Sequence, residues 1–146
     1  MKLLAIGLLA ALAAAQPADP SLAQPGELAA RLRANGAQPA LIHVGFAALY
    51  RGKHIPNSIY AGPANTPAGL EGLRAAVANL PRDREIVVYC GCCPWDHCPN
   101  IKPAMEALKK LGFTRARALY IPTNLAADWF DRGYPAELGE AAKPSK

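Results

Sequence analysis

The sequence predicts an α/β fold, a mainly parallel sheet with helices packed on both of its faces. Three observations point there. Short runs of apolar residues alternate along the chain with longer segments of helical periodicity, the order that builds strand–helix–strand units. The clearest run, Glu85-Ile86-Val87-Val88-Tyr89-Cys90, is apolar throughout after its first residue, as a strand covered on both faces must be. The chain's 146 residues, 51% hydrophobic and 18% charged, suit one domain with a real core and exclude a disordered polymer.

Taken in order, the elements begin after a targeting segment. Met1-Lys2 supplies a positive tip, Leu3 to Ala14 is apolar apart from Gly7, and Ala13-Ala14-Ala15 forms a small-residue ending. That pattern predicts a signal peptide over residues 1–15, cleaved near Ala15, and an exported protein, periplasmic or secreted. No later stretch carries enough consecutive apolar residues to span a bilayer, so no integral membrane association is expected once the signal is removed. Residues 16–25, rich in Pro and Ala, read as a flexible lead-in.

The body of the domain, residues 26–136, starts with helical spacing at Leu28 and Leu32, stopped by Asn35-Gly36. Ala40 to Val44 reads as a strand, and a mobile piece then leads to a second short strand, Ser58 to Ala61. Thr66-Pro67 opens a helix with a hydroxyl cap and Pro in the first turn, and Leu70, Leu73, Val77 and Leu80 give it one apolar face. After the strand ending at Cys90 comes a turn-like stretch, Gly91 to Pro99. Asn100 is placed to cap a helix from Ile101 to Leu111, which Gly112 ends. Ala116 to Ile121 is a further strand, Ala126 to Arg132 a short last helix, and residues 137–146 a frayed tail. The net charge of +5 is spread without any basic run, which argues against nucleic acid or an anionic membrane as partner.

All four cysteines fall in Cys90-Gly91-Cys92-Cys93-Pro94-Trp95-Asp96-His97-Cys98. Ligands of open α/β sheets bind beyond the carboxyl ends of the strands, and Cys90 ends the best one. The N-terminal amides of the following helix would favour a thiolate there, and a loop curled around Cys90 would aim N–H groups at an anionic sulfur. A cysteine needs such a cup to carry a persulfide. The plainer alternative is that Cys90 is a small buried residue finishing a strand. Gly91, Trp95, His97 and Lys102 are the candidates to line the pocket.

The chain resembles the single-domain rhodanese family of sulfurtransferases. The resemblance rests on an ordered set: Leu41-Ile42-His43-Val44-Gly45, His54-Ile55-Pro56-Asn57-Ser58, Ile86 to Cys90, Ala107 to Phe113, and Trp129 with Gly133-Tyr134-Pro135. It implies a five-stranded sheet, Cys90 as the sulfur-accepting nucleophile, and a small sulfur-containing substrate or thiol acceptor as partner. The chain departs from the family's pattern in several places. His43 and Gly45 stand where the family usually has Asp and Arg, so a bracing ion pair is missing. The active loop is longer than usual and has no basic residue before Lys102, and Asp96 makes it negative. A dianion such as thiosulfate is recruited by positive charge, so it is not the expected donor. The family's phosphatase branch has Arg six positions after its cysteine. Here that position is Asp96, which argues against phosphoryl transfer.

The additional cysteines leave three readings open. Cys92, Cys93 and Cys98 can serve as auxiliary or resolving thiols that attack a persulfide on Cys90. Cys93 and Cys98 are spaced to close a structural disulfide, favoured by an exported location. Cys90, Cys93, His97 and Cys98 can ligate a soft metal, zinc or copper, whereas the other two readings need no cofactor. Trp95 either walls the pocket or packs over the loop. His97 is a base, a ligand or simply exposed. His54 is expected to hold a turn, His43 to be a satisfied buried histidine, and Trp129 to be core. Arg51 and Lys53 border the active loop in this family and are candidates for the charge the loop lacks, or else a solvated face.

Overall fold

The computed structural model describes residues 19–34 and 36–139. The targeting segment expected at residues 1–15 lies outside them, as do Asn35 and residues 140–146. In chain order the elements are β1 (Leu22–Ala23), α1 (Pro25–Arg33), β2 (Ala40–His43), α2 (Ala47–Gly52), β3 (Lys53–His54), β4 (Ile59–Tyr60), α3 (Pro67–Val77), β5 (Ile86–Tyr89), α4 (Ile101–Lys110), β6 (Ala116–Leu119), a π-helical turn (Ala126–Phe130) and β7 (Glu137–Leu138).

The main sheet has five strands in the order β1-β6-β5-β2-β4, and every pairing in it is parallel. β5 lies at the centre, with Val88 opposite Ile42 on one side and Ala118 on the other. Alternate side chains of β5 feed two separate cores. Ile86 and Val88 pack with Leu73 and Val77 of α3 and with Ala104 and Leu108 of α4. Val87 and Tyr89 pack with Leu28 and Ala29 of α1 and with Trp129 of the π-helical turn. Helices therefore cover both faces, which is why this strand needs no polar residue. Among the described residues, no helix is long and apolar enough to cross a membrane.

Three stretches are more ordered than the sequence suggested. The lead-in supplies the fifth strand: Leu22 and Ala23 pair with Ala118 and Leu119, and α1 begins at Pro25, inside the segment read as flexible. Two residues are too few to carry a period-2 signal, so composition alone misread them. The piece read as mobile after Gly45 contains α2 and β3. The start of the tail is not frayed, because Glu137 and Leu138 pair antiparallel with His54 and Lys53.

The capping expected for α3 is present, Thr66 Oγ1 accepting from Gly69 N at 3.0 Å. At α4 it is not. Asn100 makes no side-chain cap bond, and its side chain is used at the sheet end instead. The brace missing at His43 and Gly45 has a counterpart at the opposite end of β5, where Glu85 accepts a two-pronged hydrogen bond from Arg31 at 2.8 Å and another from Arg117.

Candidate active site: a four-cysteine loop at the end of β5

Cys90 follows the last residue of β5 and is 3% exposed. Its position is set by the strand ladder, which continues one step further through Val44 N–H donating to Tyr89 O at 2.9 Å. Gly91 turns the chain with φ +101°, a region that favours glycine. Two backbone bonds hold the loop down: Trp95 N–H to Ile121 O at 2.8 Å and Leu125 N–H to Gly91 O at 3.2 Å. The loop thereby lies across the carboxyl end of β6.

The loop gathers its sulfurs. Cys90 and Cys92 Sγ are 3.4 Å apart, Cys92 and Cys93 Sγ 3.0 Å. The sulfurs of Cys90, Cys92 and Cys98 all lie within 4.8 Å of one another. All four cysteines are unpaired in this structure, so the disulfide that one of the three readings places between Cys93 and Cys98 is not formed in it. Cys98, like Cys90, is buried, while Cys92 is exposed.

The downward shift falls on Cys98 and not on Cys90. Cys98 sits three residues before α4, where the backbone N–H groups of Asn100 and Ile101 reach its sulfur. The neighbouring Cys90 sulfur, together with those amides, draws Cys98 below the ordinary thiol range. Cys90 is correspondingly pushed up, first by the neighbouring Cys98 sulfur and then by burial, against the opposing pull of Asn100 and the Cys92 N–H. The helix amides thus favour ionisation of Cys98 over that of Cys90. Position along the chain matches this: Cys98 lies three residues before Ile101, the first residue of α4, and Cys90 eleven. Burial raises Cys93 to about 12, with the Cys92 and Cys98 sulfurs adding to the shift.

Asn100 is the residue that sequence reasoning assigned to the wrong task. It is fully buried, donates from Nδ2 to Cys90 Sγ at 3.4 Å, and accepts from Asn65 N at 3.1 Å through Oδ1. An Asn just before a helix looks like a cap, and only its burial marks it as something else.

The remaining candidates separate. Trp95 is half-buried against the core that holds Cys98 and Ile101, and its ring lies 6.5 Å from that of Tyr120. With Lys102, Met105 and Cys98 it lines a cleft of about 430 Å³, so it packs and walls at once. His97 is 79% exposed and pairs with Asp96 at 3.0 Å. The mutually close set is Cys90, Cys92 and Cys98, which leaves out both His97 and Cys93. Lys53 Nζ lies 4.7 Å from the Phe130 ring centre, occupied away from the sulfurs. Trp129 is core, as expected, with Nε1 donating to Pro135 O at 2.8 Å. His54 holds its turn through Nδ1 and Tyr50 O at 2.8 Å and stacks on Tyr50.

Gly45 and His43 border the cysteine from β2. A Cβ on Gly45 would stand 2.7 Å from Cys90 Sγ and 2.8 Å from Cys90 O, so glycine is required for the strand end to pass this closely. His43 is 1% exposed, and burial pushes it down to about 4. Its Nδ1 accepts from Gly45 N at 3.3 Å, but Nε2 has no hydrogen-bond partner among the described residues, so it is buried as expected and only half satisfied.

A parallel five-stranded sheet with helices on both faces, and a buried cysteine and its loop at the central strand's end, defines an α/β protein of the open-sheet class. The family profile of the Rhodanese-like domain matches residues 24–120, from the residue before α1 to the residue after β6, and the chain belongs to that family. No curated protein sequence matches the chain. Its fold is similar to that of a rhodanese-like domain from Anabaena (19% identity, covering 86% of this chain and 85% of that one, TM-score 0.61). It is also similar to a single-domain sulfurtransferase from Saccharomyces cerevisiae (16% identity, 81% and 94% covered, TM-score 0.57). A yeast protein tyrosine phosphatase of the Rhodanese family is a further structural relative (15% identity, 84% and 98% covered, TM-score 0.54).

Proposed function

We propose that this protein is a sulfurtransferase in which Cys90 takes up sulfane sulfur as a persulfide and passes it to a thiol. The observation that carries the reading is Cys90 itself, buried at the end of β5 with Asn100 Nδ2 donating to its sulfur at 3.4 Å. Cys90 reacts as its thiolate, the thiol proton having passed to solvent. Attack on the outer sulfur of a donor R–S–SH forms Cys90–S–SH and releases R–S⁻. An acceptor thiolate then attacks the outer sulfur, forming the acceptor persulfide and returning Cys90 as thiolate. Asn100 Nδ2 is the donor positioned to stabilise the anionic Cys90 sulfur at both stages.

The donor class follows from charge. No cation stands between Gly91 and Pro99, and Asp96 is exposed there, so an uncharged or singly charged persulfide suits the loop better than the thiosulfate dianion. Asp96, six residues beyond Cys90, likewise speaks against phosphate esters as substrates. The apolar start from Leu3 to Ala14 supports export to the periplasm or beyond as part of this proposal.

Mass spectrometry after incubation with a low-molecular-weight persulfide tests it. One added sulfur is expected on Cys90 and none on the Cys90→Ser variant. Equal uptake by that variant would overturn the assignment.

A further inference from the structure

We infer that Cys90, Cys92 and Cys98 form a three-coordinate site for copper(I). Their sulfurs lie within 4.8 Å of one another, with Cys90 and Cys92 at 3.4 Å. Three sulfurs around one ion at bonds of about 2.3 Å stand roughly 4 Å apart, so the set closes on a metal by side-chain adjustment alone.

The donor chemistry selects the ion. Every member is a cysteine sulfur, and thiolates of this kind suit copper(I). The hard and borderline donors of the loop are turned away: Asp96 and His97 pair with each other, and the His97 side chain is 79% exposed. Structural zinc takes four ligands, and the fourth cysteine lies outside the mutually close set, in contact with Cys92 at 3.0 Å.

The surroundings suit an anionic metal–thiolate centre. Cys90 and Cys98 are 3% and 5% exposed, which shields the ion, while exposed Cys92 provides the way in. The Asn100 amide and the N–H groups opening α4 supply positive ends toward the sulfurs without a competing cation. Loading exchanges each remaining thiol proton for a bond to the metal, with no change of oxidation state in metal or sulfur. Because Cys90 is a ligand, a copper-loaded protein does not take up sulfur, so the two activities alternate on one sulfur.

Anaerobic titration of the reduced full chain with copper(I), in competition with a chromogenic copper(I) chelator, tests the site. One equivalent per chain is expected, retained by Cys93→Ser and His97→Ala and lost by Cys92→Ser and Cys98→Ser. X-ray absorption of the loaded wild-type chain should show three sulfur neighbours, a readout that needs no variant to fold. Failure of the chain to hold copper against the chelator overturns the inference, as does equal retention by Cys98→Ser or a shell containing nitrogen from His97. Sulfur uptake by the metal-free chain, measured in parallel, separates this outcome from that of the sulfur-transfer reading.

Discussion

Asn100 Nδ2 lies 3.4 Å from Cys90 Sγ while the same side chain, through Oδ1, accepts the Asn65 N–H at 3.1 Å. The amide therefore ties the reacting sulfur to the segment after β4, and its orientation is fixed because only Oδ1 can accept from a backbone N–H. Asn100→Ala removes the hydrogen bond that stabilises Cys90 when it ionises to react, an interaction of about 1.5 kcal/mol, and slows sulfur uptake about tenfold. Asn100→Asp is the sharper test, because a carboxylate facing the sulfur should depress the rate further and move its pH dependence upward. A positional role predicts that shift in the pH profile of Cys90 alkylation. A purely structural role predicts lower thermal stability with an unchanged profile.

Gly45→Ala brings a Cβ to 2.7 Å from Cys90 Sγ and 2.8 Å from Cys90 O. Neither atom is at the free end of a flexible chain, since the sulfur is buried and the carbonyl belongs to the backbone. The end of β2 or of β5 must shift, at a cost of about 1–3 kcal/mol. A lowered unfolding midpoint together with impaired persulfide formation is the expected result. A fully active, fully stable Gly45→Ala protein would show that the strand ends are not so tightly apposed.

The sheet and the location of the site were legible in the sequence for physical reasons that also explain the omissions. β5 announces itself because a strand buried on both faces cannot hide its composition, and with it came Cys90 and the loop. β1, β3 and β7 are two-residue strands whose pairing is decided by partners far away in the chain, as in Leu22 with Ala118 or Lys53 with Leu138. The distribution of charge among the cysteines was not legible either. It depends on which sulfur the amides opening α4 influence, and linear spacing points to Cys90 where the downward shift falls on Cys98. Asn100 was misassigned because its local sequence context fits a cap and its burial is a tertiary property.

Glu85 anchors the opposite end of β5, and its contribution has a defined acid window. Hydrogen bonds from Arg31 and then Arg117 hold its carboxyl at about 2, below the ordinary 4.5. A depressed acid favours the folded state when ionised, so this stability is complete above pH 4.5 and drains away as pH falls toward 2. The contribution is on the order of 2 kcal/mol, allowing for solvent around the guanidinium groups. Denaturant melts of Glu85→Gln should be less stable than wild type at pH 7 and converge with it near pH 2. Parallel curves across that range would remove Glu85 from the account.

His43 titrates in a separate and higher window. Burial holds the folded-state value at about 4 against an ordinary 6.5, so between these values the unfolded chain binds a proton that the native protein refuses. Stability is therefore full above pH 6.5 and declines as pH falls to 4, by about 3 kcal/mol over the whole interval. The ring has little chance of escaping this penalty, since Nδ1 already accepts the Gly45 N–H and Tyr89 presents its ring edge-on at 5.0 Å. His43→Gln keeps an acceptor for the Gly45 N–H and cannot take the proton. Urea midpoints for the wild type should drop steadily from pH 6.5 to 4.5, whereas those of His43→Gln stay level over the same range. If both proteins lose stability in step there, His43 is not the group being protonated.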